Sequence, residues 1–198
     1  MSTVFVKTFT PPPISESDVL RYARCPKTDE GMLGIVRQCA DLVRDVFAYN
    51  VCYIESPVRI DGNTCRFSFG TVASADLAHH LDGCTKVIMF AATVGVAAER
   101  EMQKAAVRSP VRALFMDAIG TERIEALCDT FEAEVRRYAA AQGREIRPRF
   151  SPGYGDLPLE TQRVIFSVLD CPRRIGLALT DGCMMSPSKS VTAFIGMK

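Results

Sequence analysis

Two stretches of this sequence gather side chains that could do chemistry. The first is acidic. Glu122, Glu125, Asp129 and Glu132 fall at i, i+3, i+7 and i+10, flanking an apolar stripe of Ile124, Leu127, Phe131, Val135 and Tyr138. On a helix those carboxylates are neighbours. Each such like-charge pair costs about 0.2–0.5 kcal/mol, and within the segment only Glu132–Arg136 offsets the repulsion. A solvated face, or ion pairs with arginines elsewhere in the chain, would account for the stripe. So would a carboxylate turned toward a cationic group of a ligand. The second stretch is RPRFSPGYGDLP, residues 147–158. Its prolines fix the backbone, while Gly153 and Gly155 let the main chain approach a bound molecule. Arg149 can hold a carboxylate through two parallel hydrogen bonds, and Tyr154 offers a ring and a hydroxyl. The stretch is either a rigid connector or a ligand loop. An acid for an ammonium, an arginine for a carboxylate and an aromatic ring together suit an amino-acid-like ligand.

Other chemistries lack their signatures. There is no G-x-S-x-G, P-loop, H-E-x-x-H or G-x-G-x-x-G. His79 and His80 are the only histidines, so a Ser-His or Cys-His nucleophile would have to use one of that adjacent pair. Adjacent side chains on a helix point about 100° apart, a poor arrangement for one metal ion. The eight cysteines lie at least 12 residues from one another, without zinc-ligand spacing. They read as small buried hydrophobes, and no metal site is expected.

Composition narrows the class. The chain has 198 residues, 47% of them hydrophobic and 24% charged, the profile of a globular protein. At that size folding buries roughly 70% of the unfolded chain's surface, enough for a core without staples. A single domain over 1–198 is expected. The net charge of +1 lacks the basic excess of a nucleic-acid binder. The opening MSTVFVKTFTPPP has no apolar h-region, and the run from Val87 to Ala98 is too short for a bilayer, which takes about 20 residues. A cytoplasmic protein without membrane contact is expected.

The elements that must position the two stretches follow from periodicity. A short strand around Val4 and Val6 is closed by Pro11, Pro12 and Pro13. Ser15 or Ser17 caps a short helix through Arg24. Leu33, Val36, Ala40, Val43 and Phe47 then share one helical face. The period changes to two from Val51 to Ile60, and Asp61-Gly62-Asn63 turns the chain into Cys65, Phe67 and Phe69, a β-hairpin. Ser74 caps a helix to about Leu81, Lys86 to Thr93 is a buried strand, and Gly95 opens another helix. The longest helix runs over 110–142, from Pro110 to the residue before Gly143, with Gly120-Thr121 expected to bend or break it. A helix from Leu159 to Leu169 follows. Ile175, Leu177 and Leu179 read as a strand paired with Val191, Ala193 and Ile195 in a second hairpin. Hairpins at both ends with helices between them predict an α+β fold with a largely antiparallel or mixed sheet.

The ordered pattern is more specific than its parts. Arg149-x-x-x-Gly153-Tyr154, an amphipathic helix, I-G-L-A-L-T-D over 175–181, and M-x-P-x-x-x-V from Met185 resemble the activation domain of cobalamin-dependent methionine synthase, above all its short free-standing forms. The resemblance is strongest over 145–197, with the ligand loop and C-terminal hairpin. It extends loosely to Thr93–Gly95 and to I-E-A-L-C at 124–128, and is weak over the first 70 residues. Three features depart from the fused domains. Gly155 follows Gly-Tyr where many have proline, Cys183 stands near the position of a loop tyrosine, and an N-terminal acid has no counterpart.

The resemblance implies an S-adenosylmethionine-binding module in which Arg149 takes the methionyl carboxylate and Glu125 the ammonium. Ser151, Gly153 and Tyr154 would line the nucleoside and sulfonium. The implied role is reductive methylation, and so reactivation, of cobalamin carried by a partner methionine synthase without its own activation domain. Flavodoxin or another reductant would supply the electron. The chain would be an accessory subunit acting only with that partner. A non-catalytic S-adenosylmethionine sensor, or a scaffold for another corrinoid protein, is the alternative. An independent methyltransferase lacks its usual glycine-rich loop here.

Overall fold

A computed structural model describes residues 3–10, 13–25 and 29–198. Its centre is β5 (Lys86–Thr93), whose residues from Val87 onward are all buried. The uniformly apolar sequence of this strand has a direct cause: both faces are covered. Ile88, Phe90 and Ala92 point to one core, and Val87, Met89 and Ala91 to another. Strand β2 (Asn50–Asp61) pairs antiparallel with β5, Tyr53 lying opposite Phe90. The other edge of β2 is shared. β1 (Phe5–Thr8) takes its first residues and β3 (Thr64–Phe67) its last, through the turn at Asp61–Asn63. β4 (Gly70–Ala73), a short strand the sequence pattern did not mark, continues from β3.

The C-terminal hairpin is not formed as expected. Ile175 closes a short helix, α7 (Cys171–Ile175), started by Pro172. Leu179 belongs to β6 (Ala178–Leu179), which pairs only with β7 (Met185–Ser186) in a separate two-stranded ribbon. The apolar strand β8 (Ser190–Met197) pairs instead with β5, Lys86 opposite Met197, and completes the main sheet in the order β4-β3-β2-β5-β8. Burial against both cores favours pairing of β8 with the central strand β5 over a local hairpin. The fold is α+β with an antiparallel main sheet.

Helices cover both faces. On one lie α3 (Ala75–His80) and α6 (Thr161–Leu169), which join α7 in packing Leu77, Leu81, Ile165 and Leu169 against the sheet. Ser74 caps α3, accepting from Leu77 N at 3.0 Å. On the other face lies the C-terminal half of α5 (Pro110–Ala140). Its N-terminal half leaves the sheet and packs with α1 (Glu16–Tyr22) and α2 (Glu30–Val43) around Val19, Val36, Phe115 and Ile119. α4 (Val96–Arg108) leads into it from Gly95.

Two expectations need correction, and one choice is settled. Ser15 caps α1, and Ser17 does not; the helix ends before Arg24. Pro11 and Pro12 lie outside the described residues. α5 runs unbroken through Gly120. A Cβ there would stand 2.8 Å from Met102 Sδ and 3.0 Å from Lys189 Cγ, so the glycine serves close packing.

Candidate functional site

The two chemical stretches meet. After α5 the chain crosses the outer edge of β8. Arg147 N donates to Gly196 O, and Phe150 exchanges hydrogen bonds with Phe194 in both directions, all at 2.9 Å. Phe150, between those bonds and the sheet, packs toward the α3/α6 core. Arg149 reaches the opposite side and meets the acidic face of α5. Its Nη2 donates to Glu125 Oε2 at 2.7 Å, and its Nη1 donates to Asp129 Oδ1 at 2.7 Å and Glu132 Oε2 at 3.4 Å. Arg136 also pairs with Glu132, at 3.1 Å.

Burial works against the Arg149 charge, but the bond to Asp129 and the surrounding carboxylates override it and raise its pKa. The guanidinium is therefore a fixed cation. Three carboxylates face two arginines, an excess of one negative charge. Asp129 is the most exposed member, with 70% of its side chain open to solvent, against 16% for Glu132. Beneath them burial pushes the Cys128 thiol up, so it is neutral and no nucleophile.

Glu122 leaves the stripe. It is buried with Arg123, whose side chain is also bonded to Pro13 O at 2.8 Å, and accepts from Ser15 N at 3.2 Å. That pair ties α1 to α5. α1 thereby brings Asp18, Arg21 and Tyr22 to a small cleft shared with Glu125 and Asp129.

The loop beyond Arg149 is held by polar contacts at several points. His80 Nε2 donates to Pro148 O at 2.7 Å, and its ring packs on Phe150. Ser151 O accepts from Tyr154 N at 3.1 Å, and Gly153 N donates to Leu157 O at 2.9 Å. Leu157 is the buried anchor of the segment. Tyr154 is 61% exposed, its ring set edge-on to Phe150. The Asp156 carboxylate takes the Ser74 hydroxyl and the N–H groups of Ala75 (2.7 Å) and Asp76 (3.1 Å), and Asp76 returns the contact by accepting from Asp156 N at 2.9 Å. Ser74 first, then those N–H groups, hold the Asp156 carboxyl below the usual carboxylate range. Gly155 has φ +54°, which proline cannot adopt. The departure from proline at this position thus goes with the reciprocal Asp76–Asp156 contact.

Of the expected site residues, Arg149 and Glu125 are in direct contact. Ser151, Gly153 and Tyr154 form the adjoining loop. Asp129 and Glu132 were visible only as members of a stripe, and the Ser74–Asp76–Asp156 clamp had no signal beyond the capping serine. Cys183 is buried. No group of metal-ligating side chains occurs among the described residues, and none of the helices described is long and apolar enough to cross a membrane.

Fold and site together define an α+β domain whose polar centre pairs an arginine arm with the acids of a helix. Residues 71–198 match the family described as vitamin B12 dependent methionine synthase, activation domain, and the chain belongs to that family. A solved structure titled "Crystal Structure of the MetH Reactivation Domain bound to AdoHcy" superposes with a TM-score of 0.71 at 13% identity, over 98% of this chain and 78% of that one. At that identity the likeness concerns the fold. No curated protein matches.

Proposed function

We propose that this chain binds S-adenosylmethionine and supports reductive methylation of a cobalamin held by a partner methionine synthase, in a cytoplasmic setting. The observation that carries the reading is the contact of Arg149 with Glu125 and Asp129 inside the family-matched segment. A guanidinium beside surplus carboxylates fits the zwitterionic end of an amino acid. The ligand carboxylate takes over the Arg149 fork, and the acids released from it accept the ammonium. Glu125 is the assigned acceptor. Asp129, bonded to Arg149 at the same distance, is placed to share that role. Ser151, Gly153 and Tyr154 orient the nucleoside and sulfonium. The relative's printed title, with AdoHcy bound, supports this ligand class.

Bound here, S-adenosylmethionine supplies an electrophilic methyl group, and the corrinoid of the partner is its acceptor. The chain's own residues need no acid or base for that transfer. They bind, orient and present, and orientation is worth ~7–11 kcal/mol when reactants are held in line. β2, before residue 71, pairs with β5 beyond it, and this pairing across the match boundary supports reading 1–198 as one unit.

Calorimetric titration of the chain with S-adenosylmethionine tests the site. Arg149→Ala is expected to weaken binding about tenfold or more, the lower range for a charged hydrogen bond. An unchanged dissociation constant sinks the assignment. Electron-dependent methyl transfer to a cobalamin-loaded partner tests the role. Binding without transfer would make the chain a sensor or scaffold.

A further inference from the structure

Eight cysteines populate the chain, and the ligand site uses none of them. Seven are buried; Cys25 alone is partly open to solvent. Among the described residues one pair of sulfurs is in hydrogen-bond contact: Cys52 Sγ and Cys171 Sγ, 3.9 Å apart and 119 positions apart in the chain. Cys52 is the third residue of β2, opposite Ala91. Cys171 is the first residue of α7, behind Asp170, which adopts a left-handed conformation. We propose that Cys52 and Cys171 are a peroxide-oxidisable dithiol that closes into a disulfide and locks α7 onto β2.

The geometry asks for little movement. The sulfurs must close from 3.9 Å to about 2.05 Å, within reach of side-chain rotation and a small shift of a five-residue helix. The pair is also chemically asymmetric. Arg174 favours a thiolate at Cys52, while burial disfavours one at Cys171. Cys52 is therefore the attacking sulfur. Its thiolate attacks peroxide: an S–O bond forms, the O–O bond breaks, and the departing hydroxide leaves as water. The Cys171 sulfur then attacks the Cys52 sulfenic acid, and the second oxygen leaves as water with the Cys171 proton. Two thiols lose two electrons, and one peroxide becomes two waters. Both side chains are buried, so a small oxidant reaches them only when α7 opens, and closure is slower than oxidation of Cys25.

The lock acts on the core that anchors the ligand loop. Cys52, Cys171, Leu169 and Leu157 share one apolar cluster. A link across 119 positions removes much of the freedom of the unfolded chain. It is expected to raise Tm by roughly 10 °C.

The test uses the full chain carrying Cys25→Ser, treated with hydrogen peroxide, alkylated and peptide-mapped without reduction. The expected product is a single Cys52–Cys171 cross-linked peptide, cleaved by dithiothreitol, with the raised Tm lost on reduction. Cys171→Ser should leave Cys52 as a sulfenic acid that dimedone captures. Sulfinic acid at Cys52 without a cross-link, cross-links spread over other cysteines, or a cross-linked form with a lower Tm would overturn the proposal.

Discussion

Gly155 is the position where loop geometry can be tested most sharply. Its φ is +54°, and a Cβ built on it stands 2.0 Å from Asp76 Oδ2 and 2.8 Å from Asp76 Cγ. Gly155→Ala therefore carries two separable costs. Holding alanine in a left-handed conformation costs about 1–2 kcal/mol, partly offset by the smaller entropy of the unfolded chain, leaving about 1 kcal/mol. Asp76 must also swing away and give up the bond from Asp156 N at 2.9 Å. That bond is solvent-exposed, so its loss adds about 1 kcal/mol. The sum is about 2 kcal/mol, or a Tm lowered by roughly 4–8 °C for a chain of this size. In an Asp76→Ala background the carboxylate clash and the bond are both gone, only the Cβ of residue 76 remains close at 3.0 Å, and Gly155→Ala should cost little more than the conformational ~1 kcal/mol. Urea denaturation of the four proteins closes the cycle, with an expected coupling near 1 kcal/mol. Equal costs in the two backgrounds would refute the contact with Asp76. No cost in either would refute the conformation itself.

The buried Glu122–Arg123 pair separates structure from binding. Glu122→Ala leaves a guanidinium without its carboxylate in the interior and should destabilise the fold by about 3–5 kcal/mol in urea, while S-adenosylmethionine affinity of the folded fraction stays within twofold. Asp156 gives the acid limb of stability. Its folded pKa is depressed, so its contribution is full above the unfolded value of about 3.9 and is lost as pH falls through the lower folded value. Asp156→Asn should flatten the stability profile there, and an unchanged slope would remove Asp156 from the clamp.

Much of this fold is local in origin and legible for that reason. β5 was read with its observed limits because burial on both faces leaves a run with no polar interruption. Turn chemistry at Asp61–Asn63, caps at Ser15 and Ser74, and Pro110 at the start of α5 mark their elements equally well. Pairing over distance is not written locally. Ile175, Leu177 and Leu179 alternate like a strand, yet Ile175 ends a helix, and the partner of β8 is a strand a hundred residues earlier. The site shows the same division. The acidic stripe and Arg149 were each visible, but their contact depends on how residues 145–150 cross β8. Glu122 could not be told from its neighbours by spacing, because α1 alone decides that it is buried.

That crossing gives the arginine arm a second consequence. β8 is the last strand of the main sheet on its side, and on its outward edge the Phe194 N–H and the Phe194 and Gly196 carbonyls are occupied by Phe150 and Arg147. An uncovered apolar edge strand is a template for pairing with other chains. The segment that presents Arg149 to the acids of α5 is thus also the guard on that edge, so one six-residue crossing both places the arginine and closes the sheet.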